Sequence, residues 1–225
     1  MSDSPATAPA GRAKTTRVSR KALGRKPSKK SGATRSKILA AAAKVFASNG
    51  YQLTKLSDIA REVDIHVTAL NYHFETKDHL VEEMMNALVH HVSESVQAGV
   101  AALPATATHR ERILVGAVAF LQAILEQKDF ITAHGHVLYQ VPQEVRDRHF
   151  VHLAEANVFW RRLILEAWQK GELRRSLNPS LAMQMLMGTL IWTREWYRPG
   201  RDTPAEIATE IIDILFDGMG ARPQK

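Results

Sequence analysis

The 225-residue chain is 45% apolar, enough for a folded core in one large or two small domains. It contains no cysteine, which excludes disulfides, thiolate metal sites and thiol nucleophiles. Its formal net charge of +7 is concentrated at the amino terminus, where residues 1–32 carry nine basic groups against Asp3 alone and the remainder is close to neutral.

That first stretch is rich in Ser, Thr, Ala, Pro and Lys, a composition that cannot bury enough surface to offset its ordering entropy. A disordered basic arm over 1–32 is expected. From Ala33 to Asn49, the stripe of Ile38, Ala42, Val45 and Phe46 predicts an amphipathic helix, and Asn49-Gly50 is a helix stop. Next comes Leu53 to Leu80, on which the functional reading rests. Leu56, Ile59, Ala60 and Val63 recur at helical spacing, with Thr54 placed to cap the start. Val67, Leu70 and Phe74 give a second short helix an inward face, leaving Thr68, Asn71 and Tyr72 on the opposite side. Only Asp64, Ile65 and His66 separate the two, so the turn between them is sharp.

This is a helix-turn-helix pattern, and its outward residues suit DNA. Base edges are read by small or flat hydrogen-bonding groups, here Thr68 and Asn71. Phosphates are held by cations, amides and hydroxyls, here Tyr72, His73 and Lys77, with Arg35, Lys55 and Ser57 near the starts of the two preceding helices. The competing reading makes them solvated positions of a helical hairpin. The arm likewise has two readings, a solvated leader or a segment lying along phosphates or in the minor groove.

Gly50, Tyr51, Thr54, Ile59, Ala60, Tyr72, His73, Phe74, Lys77 and Leu80 stand at the spacings of an amino-terminal signature. Across roughly 34–80 the chain resembles the three-helix DNA-binding domain of the tetracycline-repressor (TetR) family. Two departures stand out. The turn usually written Ala-Gly-Val-Ser is Val63, Asp64, Ile65, His66 here, and Asn71 stands where many members carry an aromatic residue. Aspartate tolerates the left-handed backbone that the turn needs more readily than histidine replaces a capping serine.

Thr76 is placed to cap a long fourth helix, in which Val81, Met84, Leu88, Val92, Val96, Val100 and Leu103 recur every three to four residues until Pro104. Helices follow at about 109–127, 130–139, 143–170, 179–198 and 204–218, with no credible strand. Asn178-Pro179 and Thr203-Pro204 pair a capping residue with a first-turn proline, and Thr203 with Glu206 has capping-box spacing. The expected architecture is all-α: an amino-terminal three-helix domain (33–80) joined by a long helix to a helical ligand-binding and dimerisation domain (81–225).

The resemblance implies a homodimer on a palindromic double-stranded DNA operator, its readers roughly 34 Å or a multiple apart. It further implies pairing through the last two helices. On these, Leu181, Met185, Gly188 and Trp192 form one stripe, Met183, Met187 and Leu190 another, and Ile207, Ile211, Ile214 and Leu215 a third. Phe120, Tyr139, Phe159, Trp160, Met183, Met187, Trp192 and Trp196 are the adaptable groups that can line an effector pocket, or be ordinary core. The stretch TLIWTREWYRPG resembles carboxy-terminal domains that sense acyl-CoA or other lipid-like metabolites, and Arg146, Arg148, Arg161 and Arg162 are candidate cations for such a ligand. A small-molecule effector that releases DNA is expected, the alternative being a ligand that DNA binding requires, as in some members of such families. No cofactor is called for.

Readings from other classes are an adaptor that does not bind DNA and a metal-dependent enzyme. Against the enzyme, no nucleophile elbow, phosphate loop or paired metal motif is present. His134 and His136 flank a glycine, and His149 and His152 lie one turn apart, the spacing a metal would use. The longest apolar run, Ile113 to Leu125, is too short for a bilayer, so a soluble cytoplasmic protein with no membrane partner is expected.

Overall fold

The computed structural model describes residues 29–218. Among these the order is α1 (Lys29–Leu53), α2 (Leu56–Val63), α3 (Val67–His73), α4 (Lys77–Ala101), α5 (His109–Glu126), α6 (Lys128–Val137), α7 (Gln143–Gln169), α8 (Pro179–Trp196) and α9 (Pro204–Asp217). The expected basic arm lies outside the described residues except at its carboxy-terminal end, where α1 begins at Lys29.

Helix ends follow local chemistry. The Thr76 hydroxyl accepts from the His79 N–H, and the Asn178 side chain accepts from the N–H groups of Ser180 and Leu181. Thr203 and Glu206 close a reciprocal box, and Thr108 and Glu111 form a second one at the same spacing. Thr54 does not cap α2. Because a further helical turn runs on to Leu53, its buried hydroxyl closes that turn by donating to the Gly50 carbonyl at 2.6 Å. Lys55 takes the cap position, and its N–H is satisfied by the Asp58 carboxylate at 3.0 Å.

Two apolar clusters meet along α4. One joins Ile38, Phe46, Ile59, Leu70 and Phe74 to Leu80, Val81, Met84 and Met85, and also takes in Ala133 and Val137 of α6 with Val141 and Val145. The other gathers Leu88, Val92 and Val96 with residues of α5, α7, α8 and α9. Packing therefore does not break at residue 80: α6 is part of the floor under the first three helices. At that contact α1 is broken by Gly50 (φ 68°), and the Gln140 side chain fills the gap, accepting from the Tyr51 N–H at 2.9 Å. A Cβ on residue 50 would stand 2.8 Å from the Gln140 Oε1, so glycine serves both the backbone angle and the close approach.

The two stripes of α8 separate: Met183 and Leu190 are buried and Met187 partly so, with Leu186 beside them, while Leu181, Met185 (68% exposed) and Trp192 face outward. The stripe of α9 behaves differently. Ile207, Ala208 and Ile212 are buried, with Ile211 and Leu215 partly buried against the same core, and of the stripe only Ile214 is exposed. The second open apolar face belongs instead to α7, where Val151, Val158 and Leu165 recur every seven residues in the open.

Candidate DNA-reading helix and effector cavity

Leu70 and Phe74 are fully buried, and this pins one side of the seven-residue α3 to the core. Thr68, Asn71 and Tyr72 stand on its outer side, with Tyr72 85% exposed. The turn from α2 works through Asp64, the only non-glycine among the described residues with a positive φ (57°), whose N–H bonds to the Arg61 carbonyl. His66 occupies the cap of α3 without a side-chain bond. Val67, expected inward, is 37% exposed: α3 leaves the core at its amino-terminal end, and that apolar side chain joins the outer face.

Lys55 and Ser57, at the start of α2, are exposed. Arg35 and Lys77 are not free cations. Arg35 donates to the His73 carbonyl at 3.1 Å, pairs with Glu83 at 2.9 Å and lies over the Phe74 ring at 4.4 Å, so it ties α1 to the end of α3 and to α4. Lys77 donates to the carbonyls of Tyr51 (2.9 Å) and Thr54 (3.1 Å) and covers the Tyr51 ring. A lysine at the positive end of a helix is out of place electrostatically, and that is the one sequence signal that its partner lies elsewhere. Beneath it, the Tyr51 hydroxyl donates to Asp78, and burial, then Asp78, raises the phenol well above its ordinary value.

Between α4, α5, α6, α7 and α8 lies a cavity of about 340 Å³, within the range of small-molecule sites. Four of the eight aromatic and methionine residues expected there do line it: Phe120, Phe159, Trp160 and Met187. Tyr139, Trp192 and Trp196 point to solvent, and Met183 is spent in the core. Helical spacing could not say which stripe faced which neighbour. The α4 residues Leu88, Val92 and Val96 complete the apolar wall, so the rod is itself part of the cavity. Of the four arginines proposed by proximity none lines it, and Arg148 is held by Glu82 through paired bonds at 2.9 and 3.1 Å. Arg194 lines it instead.

The model for bacterial regulatory proteins of the tetR family matches residues 38–84. The tetracyclin repressor-like C-terminal domain model matches residues 106–219, just over half of the chain. The chain belongs to the TetR family. This TetR-family chain is 28% identical over 195 residues to the HTH-type transcriptional repressor KstR2 of Rhodococcus jostii (strain RHA1), covering 83% of this chain and 91% of that one. It superposes with a TM-score of 0.71, at 20% identity, on the TetR family regulator PfmR from Thermus thermophilus, covering 82% of this chain and 99% of that one. A TM-score of 0.70, at 22% identity and 81% and 98% coverage, relates it to AibR, solved in complex with isovaleryl coenzyme A and operator DNA. The matched domains are those of transcriptional regulators, and the enzyme reading is set aside.

In this TetR-family chain the histidines that suggested a metal have another arrangement. His134, on the cavity wall, and the fully buried His149 meet at 2.9 Å through their Nε2 atoms, while His149 Nδ1 lies 2.8 Å from Asn86 Oδ1 on α4. With the amide oxygen facing it, His149 donates from Nδ1 and accepts at Nε2 from His134. Both rings are pushed down to about 4, His134 by burial, then His149 and Arg194, and His149 by burial, then His152. They are neutral at neutral pH, and they form a hydrogen-bonded chain from cavity to rod. No helix among the described residues is long and apolar enough to cross a membrane.

Proposed function

We propose that the chain is a ligand-responsive repressor that binds a palindromic operator as a homodimer and is released by a small apolar or acyl-CoA-like effector. The observation that carries this reading is a single helix, α4, shared by two cores: Met84 and Met85 support the reader, and Leu88, Val92 and Val96 line the cavity. A ligand that favours one setting of α4 must change DNA affinity by the same coupling energy, about 1–3 kcal/mol in typical cases. AibR, of the same fold, was solved with isovaleryl coenzyme A and operator DNA together, which supports an acyl-CoA-like ligand for this chain too but not the direction of its effect, since there ligand and operator are held at once.

Thr68 and Asn71 read base edges in the major groove, and Tyr72, His73, Lys55 and Ser57 hold phosphates beside it. Arg35 and Lys77 act through the fold, holding α3 to α1 and α4. The dimer forms through the open faces of α7 and α8, with the final helix spent on its own protomer's core. Two copies of α7 crossing antiparallel at Val158 set Val151 against Leu165 and Glu155 against Arg161 and Arg162, a self-complementary seam.

Fluorescence anisotropy on the DNA flanking the gene, with random duplex as competitor, tests the reading. The wild type is expected to prefer one inverted repeat. Asn71→Ala is expected to lose about 1–3 kcal/mol of that preference, as for one base contact. No preference for any duplex, or a preference unchanged in Asn71→Ala, overturns it.

A further inference from the structure

The cavity wall is apolar with one exception that matters electrostatically. Among the described residues lining it, Arg194 alone carries a permanent charge, and no carboxylate lines it at all. The Arg194 side chain is only about a quarter exposed (26%), and beside Ile131, Ile124 and Met187 a partly desolvated cation favours an anionic partner. Its acidic neighbour, Glu195, holds only Nε at 2.7 Å and stands outside the cavity; Nη1 reaches the Ile131 carbonyl at a long 3.4 Å. Those bonds leave the donors of Nη2, the nitrogen that lies 3.0 Å from where a Cβ on Gly135 would stand. A side chain at 135 would make the guanidinium give way by a few tenths of an ångström.

Arg194 also closes one side of a second space. A cleft of about 540 Å³ shares Ile124, Ile131, Gly135 and Arg194 with the cavity, and Lys128 and Arg198 also line it, with Glu195 the one acid. The wall thus turns from apolar to basic at Arg194.

We propose that Arg194 is the anion-selecting residue of the effector site: the effector is an apolar molecule whose negatively charged end lies against this guanidinium, at the wall between cavity and cleft. The inference rests on the cavity being the effector site. The shared chemistry is an anionic oxygen cluster, which an apolar carboxylic acid supplies at Arg194 itself and a phosphate-bearing molecule supplies by extending toward Lys128 and Arg198. Fork-shaped hydrogen bonding to either is what a guanidinium does best.

Calorimetric titration of the full-length protein with decanoate, decyl phosphate and decanol tests this. Both anions are expected to bind about ten-fold or more tighter than decanol, the size of one hydrogen bond to a charged group. Arg194→Gln is expected to erase that difference, and Arg194→Lys, which keeps the charge if the glutamine variant does not fold, to retain part of it. Lys128→Gln with Arg198→Gln separates the sources: it weakens decyl phosphate alone if the cleft takes the phosphate, and a loss shared by decanoate overturns the placement at Arg194. Decanol binding as tightly as decanoate overturns the role of Arg194 and leaves the cavity reading standing. No binding by any of the three overturns both.

Discussion

Asp64 shows how one residue can depart from a family pattern and keep its geometry. Its φ of 57° is the left-handed conformation that glycine adopts freely and aspartate tolerates. Asp64→Gly is expected to leave the thermal midpoint within a few degrees, whereas Asp64→Val is expected to cost about 1–2 kcal/mol in chemical denaturation, the penalty of a β-branched residue at this angle. The buried imidazoles carry a second prediction. His134 and His149 stay neutral down to about 4 in the folded chain, but protonate near their ordinary 6.5 when it unfolds. Between those values the unfolded state binds more protons, so this contribution to stability is complete above pH 6.5 and is lost as pH falls toward 4. His149→Gln is expected to flatten the fall in unfolding midpoint across that window; an unchanged profile refutes the assignment. Arg35 and Lys77 show the limit of reading charge from sequence, since long cationic side chains that look free can be committed to carbonyls beneath them.

At the scale of elements, the decisive joint is α1 against α6. Gln140 follows α6 and supplies the acceptor for the Tyr51 N–H where Gly50 breaks α1, and the Gln52 amide donates back to the Gln140 carbonyl at 3.2 Å. The reader is thereby fastened to the helix that also lines the cavity through Ile131, His134 and Gly135. Gln140→Ala is expected to cost about 1 kcal/mol of stability, the net worth of such a bond. It is also expected to weaken effector-induced release more than it weakens DNA binding itself, measured as the ratio of DNA affinities with and without effector. An unchanged ratio means coupling runs through α4 alone. The helix starts at Thr76, Asn178 and Thr203 were legible because a side-chain oxygen before a helical run satisfies free N–H groups locally. Thr54 escapes that logic because the same residue type also closes a turn that is ending.

For the whole molecule, the proposed assembly rests on the open faces of α7 and α8. Met185 and Trp192 are exposed on α8, as Val158 and Leu165 are on α7, apolar side chains that a second copy of the chain would take from water. Met185→Glu is expected to shift the protein from dimer to monomer in light scattering at micromolar concentration. It is also expected to lower operator affinity by more than about ten-fold, because each reader then binds one half-site unaided. A variant that stays dimeric places the interface elsewhere.

The amino-acid order determined what is local: the helices and most of their caps, the sharp turn through Asp64, the exposed Thr68, Asn71 and Tyr72, and two separate stripes on α8. These follow from periodicity and from side chains that answer backbone groups a few residues away. Only the tertiary structure decided which stripe met which neighbour. It buried the face of α9 and opened that of α7, took four of eight large side chains into the cavity, joined His134 to Asn86 through His149, and set Arg194 alone among apolar walls. The reason is physical: a helical repeat specifies a face, but the partner of that face is chosen by packing among helices far apart in the chain.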